Sequence, residues 1–393
     1  MKRTRQLPTH RNILEWLNHP WPFTWFVIFF SLFGLLFIFD ASVPDSLRTY
    51  GNSWHFAARH SVWLAIGLTV YLFLGTIPSQ IWQKAAPWLF GLAVLLLFIV
   101  LIPGVGVRLQ GAQRWIMLGD IPIQPAEITK LALIVFFASW LSRHQRFAPF
   151  LFFSALISTL ILAQPNMSTA VILFSIGAVM YFLAGGNLKP LFVFLAISLV
   201  AGIALIFGAE YRRERLMTFI NPASDPLVKS YHIRQITIAL GRGGWLGQGI
   251  GLSKQKQHYI PEAANDSIFA VYAEETGFIG SLFLIGLYVL LLGTGIEVAK
   301  SQKEPFQFLV AAGITTWFAM QILINLAAMV ALLPLTGIPL PLVSYGGSAY
   351  VSSLAGLGIL FRLIREQTMP KRKSALKTRS TQSSSSKKLV RRL

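Results

Sequence analysis

Apolar residues in this chain come in long blocks, not at the alternating spacing of a half-buried strand or the three-to-four spacing of a soluble helix. Ten blocks stand out: Trp21–Phe39, Phe56–Ile77, Trp82–Ile102, Ile128–Leu141, Pro149–Leu162, Thr169–Ala184, Leu191–Gly208, Ser267–Val298, Gln307–Leu332 and Gly346–Ile364. About 20 apolar residues span a hydrocarbon core as a helix. The fourth and fifth blocks are short for this, which predicts tilt or a thinned bilayer. The pattern predicts an all-α integral membrane protein of about ten transmembrane helices. Its expected parts are a basic N-terminal tail (1–20), a polytopic domain (21–365) and a basic C-terminal tail (366–393). The first block is too long for a signal-peptide core and reads as a retained anchor.

Composition strengthens this picture. Of 393 residues, 54% are hydrophobic and only 12% charged, about half the charge of a soluble domain. There is no cysteine, which removes disulfides, thiolate metal sites and cysteine nucleophiles. The net charge is +19, and nine Lys or Arg fall between Lys371 and Leu393 among serines and threonines. Such a segment suits anionic lipid. No aromatic platform accompanies it, so nucleic acid is not an expected partner.

Charge also orients the chain. Short basic segments (the N-terminal tail, Lys84, Arg143/Arg146, Lys189, Lys300/Lys303 and the C-terminal tail) fall on one side of a ten-span arrangement. Cytoplasmic loops carry such an excess, so both termini are expected in the cytoplasm. Three larger loops (40–55, 103–127 and 209–266) then face outward. The third has 58 residues, with eight basic residues against four acids before Asp266. That runs against the usual bias and raises a bound anion as one cause. Translocation of a long loop regardless of its charge is the other.

Several ionisable groups lie near or inside the predicted spans: Arg59, Arg114, Glu127, Lys130, Asp266, Glu274 and Glu275. Charges at such depth face a partner, a cavity or the bundle interior. Glu127 and Lys130 share a helix face and can pair, which by itself would account for them. Arg59 and Arg114 either anchor at headgroups or hold an anion, for which Arg has the planar fork of donors.

Three further segments carry information. Gly241-Arg-Gly-Gly-Trp-Leu-Gly-Gln-Gly-Ile-Gly251 has the glycine density of a phosphate loop but lacks the strand before and the helix directly after, so it reads as a turn. In Tyr259–Gly277, Pro261 ends the loop and Asn265 or Asp266 is placed to cap an apolar helix. Asp266 also suits a general base, although it would need burial to raise its pKa. In Leu333–Ser348, three prolines and three glycines exclude a regular helix. Such backbone at membrane depth has to lie against protein or a water-filled cavity, and Ser344 and Ser348 can donate hydrogen bonds there.

These residues, over nearly all of 20–365, resemble the SEDS family (shape, elongation, division and sporulation). The resemblance is carried by Gly111-Ala-Gln-Arg-Trp-Ile116 with Ile123–Ala132, by Gln164-Pro-Asn-Met-Ser-Thr-Ala170, and by Pro261-Glu262 with Asp266, Ile268-Phe269, Glu274-Glu275 and Gly277. Asn325 and Thr336–Ser348 complete it. Gly244–Gly251 followed by Ser253-Lys-Gln-Lys and Tyr259 look more like the division branch, FtsW, than the elongation branch, RodA. The chain departs from the family pattern at Gln113, Asn166, Ala264, Asn265 and Ser267.

The resemblance implies a peptidoglycan glycosyltransferase that polymerises lipid II, with undecaprenyl diphosphate as the leaving group, on the outer face of the bacterial cytoplasmic membrane. It implies Asp266 as the essential acid. It places Arg59, Arg114, Glu127, Lys130, Pro261, Glu262, Ser344, Gly346, Gly347 and Ser348 around the substrate. The expected partners are a class B penicillin-binding protein supplying the transpeptidase and other divisome membrane proteins. A divalent cation, Mg²⁺ or Mn²⁺, is expected to bridge the diphosphate; no organic cofactor is expected. A diphosphate leaves without being protonated, so one base plus cations suffices for such a reaction. Two other readings fit the residues: a lipid II flippase, since buried charges and broken helices also suit transport, and a non-catalytic division scaffold.

Overall fold

The computed structural model describes residues 13–109, 112–119, 121–208, 210–221 and 230–368. Residues 1–12 of the N-terminal tail and 369–393 of the C-terminal tail lie outside the described residues. The helices are α1 (Ile13–Leu17), α2 (Pro20–Tyr50), α3 (His55–Leu74), α4 (Ser79–Ile99), α5 (Pro125–Leu141), α6 (Phe147–Ala163), α7 (Met167–Leu183), α8 (Leu188–Phe207), α9 (Glu210–Ile220), α10 (Tyr231–Gly243), α11 (Ile268–Ser301), α12 (Pro305–Met329) and α13 (Gly347–Thr368). An apolar helix lies on each of the ten expected blocks. Seven of these helices (α2, α3, α4, α8, α11, α12 and α13) are long and apolar enough to cross a membrane by length and composition.

Packing follows the distribution of small and large side chains. α12 and α13 form the centre, with 72% of each apolar window buried, whereas α8 buries only 6% of its window. Phe192, Leu199 and Val200 of α8 are therefore exposed. So large an apolar face would be a liability in water and is matched by lipid. α3 lies on α13, α4 on α5 and α11 on α12. The α3–α13 pair is close because Gly347 has no Cβ to strike the Trp63 ring, and Gly358 none to strike the Tyr71 backbone. Small residues of this kind let membrane helices approach.

The structure corrects two of the expected loops. Residues 40–55 are mostly helix: α2 runs on past Phe39 to Tyr50 and ends at Gly51, whose left-handed φ of 66° lets its N–H reach the Leu47 carbonyl. Pro44 sits inside this extension without ending it. The segment 103–127 holds a three-stranded antiparallel sheet of β1 (Gly106–Leu109), β2 (Ala112–Leu118) and β3 (Ile121–Ile123). These strands are short and stand between two much stronger apolar blocks, so their alternation is easily overlooked. Within 209–266, α9 and α10 are helical, and α10 turns Ile236, Ala239 and Gly243 inward along one face.

The glycine-rich segment has a structural task. α11 breaks at Gly277 (φ 66°, ψ −163°), which frees carbonyls before the break and amides after it. The loop takes up both sets. Gln248 and Gly249 N–H donate to the Glu274 and Glu275 carbonyls at 3.0 Å, and the Phe278 and Ile279 N–H donate to the Gly244 and Trp245 carbonyls at 2.9 and 3.2 Å. The loop is thus spliced into the helix, and these amides are spent on protein carbonyls, not on a phosphate. Below the splice lies a buried charge network. Lys256 Nζ is 2.7 Å from both Asp40 Oδ1 and Glu275 Oε1, and Arg242 Nε is 2.9 Å from Glu274 Oε1. Glu274 also accepts from the Gln255 N–H and the Ser253 hydroxyl.

The proline-rich stretch before α13 is irregular, and its backbone is satisfied by side chains from the surrounding helices. Asn325 Nδ2 donates to the Ile338 carbonyl and Gln321 Nε2 to the Pro339 carbonyl, both at 2.8 Å, and the Tyr288 hydroxyl donates to the Pro341 carbonyl at 2.6 Å. This is how non-helical backbone survives at such depth.

Candidate functional site

A cavity of about 770 Å³ opens at one end of the bundle. The start of α7 (Asn166, Ser168), α9 (Glu214, Arg215), the start of α10 (His232), the turn Pro261–Asp266 and residues 333–337 all face it, and Arg114 of β2 closes one side. Sequence order explains the convergence. The turn before α7, the turn before α11 and the chain after α12 all emerge at the same end of an alternating helix bundle.

Asp266 is held by its neighbours on both sides. Its carbonyl accepts from Asn325 Nδ2 at 2.8 Å. Two residues earlier, the Ala264 carbonyl accepts the Tyr345 N–H at 2.9 Å. Asn325 therefore ties the Asp266 turn to the proline-rich stretch. The expected capping role is corrected: Ser267, not Asn265 or Asp266, occupies the N-cap of α11 and makes no side-chain cap bond. The Asp266 carboxyl faces the cavity instead. Its pKa is raised to about 6 by burial first, then by repulsion from Glu262. Its own backbone amide, Arg215 and Ser267 work in the opposite direction. A carboxyl in this range is ionised at neutral pH and still basic enough to take a proton.

The cations are positioned by backbone oxygens. Arg114 Nε donates to the Gln164 carbonyl at 3.0 Å, and its Nη2 donates to the Pro165 carbonyl. Arg215 Nη1 donates to the Leu335 carbonyl at 3.0 Å. Asn166, where the family pattern has Asp, caps α7 by accepting the Thr169 N–H at 3.3 Å. Asn and Asp cap about equally well, so this departure leaves the cavity wall intact. Asn265 donates to the Glu262 carboxylate, which fixes that acid at the rim.

Of the residues expected around the substrate, Arg114, Pro261, Glu262 and Asp266 line the cavity. Glu127 and Lys130 form a buried ion pair at 2.9 Å in α5. Lys130 also donates to Gln321 Oε1 at 3.0 Å and lies over the Trp317 ring. Because Gln321 holds Pro339, this pair braces the proline-rich stretch from behind. The Ser344 hydroxyl accepts the Leu340 N–H at 2.7 Å and stabilises a turn in the same stretch. Gly346 starts α13 through its carbonyl, which accepts the Tyr350 N–H; Gly347 permits the α3 contact and Ser348 follows it, half-buried. Arg59 is half-buried and an electrostatic neighbour of Tyr345. These residues do not line the cavity. His232, which also faces the cavity, is an uncharged histidine among the Lys, Arg and acids of 209–266, and no local motif marks it. Among the described residues no three of His, Asp and Glu gather as metal ligands, so the cavity offers a divalent cation no ready set of three protein ligands.

Comparison with known proteins places this architecture. Residues 21–369 match the family model for cell cycle proteins of the FtsW, RodA and SpoVE type. The chain is 38% identical over 348 residues to a probable peptidoglycan glycosyltransferase FtsW of Thioalkalivibrio sp. (strain K90mix), covering 86% of this chain and 87% of the relative. It is 36% identical over 343 residues to stage V sporulation protein E of Bacillus subtilis (strain 168), covering 84% and 93%. Among solved structures, one of a peptidoglycan synthase complex that coordinates polymerisation and crosslinking superposes with a TM-score of 0.71 at 27% identity, over 88% of this chain and 98% of that one. The rod shape determining protein RodA of Thermus thermophilus superposes with a TM-score of 0.67 at 27% identity, over 90% and 99%. With a family match over nearly its whole membrane domain and the same fold, the chain belongs to the SEDS family of FtsW, RodA and SpoVE cell cycle proteins.

Proposed function

We propose that this protein is a peptidoglycan glycosyltransferase that polymerises lipid II at the outer face of the bacterial cytoplasmic membrane during division, with Asp266 as general base. The observation that carries the reading is the cavity-facing Asp266 carboxyl with its pKa raised to about 6, in a cavity that also presents Arg114 and Arg215. Asp266 takes the proton of the acceptor 4-hydroxyl. That oxygen bonds to the donor anomeric carbon as the bond from this carbon to the diphosphate breaks. The electron pair leaves on the undecaprenyl diphosphate, whose charge the two guanidinium groups stabilise. The exposed apolar face of α8 gives the polyprenyl tail a lipid-side approach. The topology that fits is ten crossings with both termini in the cytoplasm. The partners that fit are a class B penicillin-binding protein and further division membrane proteins, with the enzyme at the septum.

The end-of-bundle position of the cavity favours this reading over transport, in which a site sits near the midplane. The test is to supply the full-length protein, with a class B penicillin-binding protein, with labelled lipid II and to resolve the products by gel. Glycan strands are expected. Transfer of lipid II across liposomes without any strands would replace the proposal by the flippase. The pH dependence adds a second prediction. The base works ionised, so strand synthesis should rise with pH through about 6 and level off above it, as initial rates across a pH series would show. A rate that does not fall between pH 7 and pH 5 would count against Asp266 as the base.

A further inference from the structure

The cavity wall carries a polar chain that the reaction as described does not use. His232 opens α10, and its Nε2 lies 2.9 Å from Ser267 Oγ. The Ser267 hydroxyl in turn points to Asp266 Oδ1 at 3.5 Å. Ser267 is fully buried, so its hydroxyl has no water to choose over these two neighbours. Both His232 and Asp266 face the cavity. The direction of the chain follows from charge. A carboxylate only accepts, so the Ser267 hydroxyl donates to Asp266 and must accept from His232, which therefore carries its proton on Nε2. Burial and the neighbouring Arg215 hold the imidazole pKa down at about 4, so the ring is neutral across the working range and this tautomer persists.

We infer that His232, acting through Ser267, is a positioning residue that orients the Asp266 carboxylate and favours its ionised form. The inference rests on Asp266 being the base of the proposed glycosyltransferase. Other groups also act on this carboxyl: Glu262 from the same turn raises its pKa, and Arg215 from α9 lowers it. Arg114 and Glu214 face the same cavity. His232 reaches the carboxyl through the Ser267 hydroxyl, so its contribution can be isolated by substitution at either residue. The chain also gives a physical reading of Ser267, where the sequence departs from the family pattern: a small hydroxyl after the acid leaves room for an imidazole from α10 to reach it.

The test compares wild type, His232→Phe, His232→Gln and Ser267→Ala, each as full-length protein. Carbodiimide attacks the protonated carboxyl, so the pH midpoint of Asp266 labelling, read by mass spectrometry, reports its ionisation without any need for turnover. Loss of a hydrogen bond to the ionised form raises a carboxyl pKa. The midpoint should rise by roughly half to one pH unit in His232→Phe and Ser267→Ala, and should return close to wild type in His232→Gln, whose amide can still donate. The acidic limb of strand synthesis should move by the same amount. A midpoint unchanged in His232→Phe and Ser267→Ala overturns the inference, whatever the protein polymerises. Shifted midpoints in a protein that makes no strands would keep the relay and refute the glycosyltransferase reading instead.

Discussion

Substituting Asp266 by Asn should lower strand synthesis by about two to four orders of magnitude, the usual contribution of a positioned general base. The amide keeps the size of the side chain and can still accept from Ser267, so what is lost is the proton acceptor alone. The substitution should not weaken the fold. The folded-state pKa of Asp266, about 6, lies above its ordinary value. The folded protein thus binds this proton more tightly than the unfolded chain does, and the stability associated with it is lost as pH rises through about 6. At neutral pH the ionised carboxylate is a burden on the folded state, and Asn removes it. Thermal unfolding of the variant in detergent should therefore match wild type or lie slightly above it. Strand synthesis that survives in Asp266→Asn would remove the base from the mechanism and favour a role in which the cavity only binds.

The second large effect is expected in the splice. Gly247 has a φ of 81°, and a Cβ there would overlap the Glu275 carbonyl oxygen. That oxygen is backbone and is already engaged by the Gly249 N–H, so it cannot give way. Gly247→Ala should cost about 3 kcal/mol, combining a left-handed φ for a residue with a Cβ and a clash with fixed backbone. Gly241 is the control. It lies in α10 with nothing within 4 Å of where a Cβ would stand, so Gly241→Ala should be neutral or stabilising by up to about 1 kcal/mol. Thermal midpoints of the two variants in the same detergent should separate by several degrees. Equal midpoints would mean that the loop is not held to α11 as described.

The architecture was largely legible from the blocks of apolar residues, because a bilayer makes long uninterrupted runs the dominant signal. What escaped were elements whose signal is short or local. The strands around Arg114 span three to seven residues, and the extension of α2 crosses Asp40 and Pro44, which interrupt the apolar run without ending the helix. Of the residues lining the cavity, Asp266, Arg114 and Glu262 were legible as candidates. The Glu127–Lys130 pairing followed from a spacing of three, but spacing alone does not say what stands behind a pair, and here it is Gln321 and Trp317. His232 was not legible: it reaches Ser267 across 35 residues of chain, a separation for which no local pattern exists.

The exchange of hydrogen bonds between the glycine-rich loop and α11 bears on how the protein is made. A helix broken in the membrane leaves bare amides and carbonyls that cost several kcal/mol each in hydrocarbon. Residues 244–249 precede Gly277 in the chain, so they leave the ribosome first. The patch is already present when the break emerges, and α11 need never wait in lipid with its backbone open.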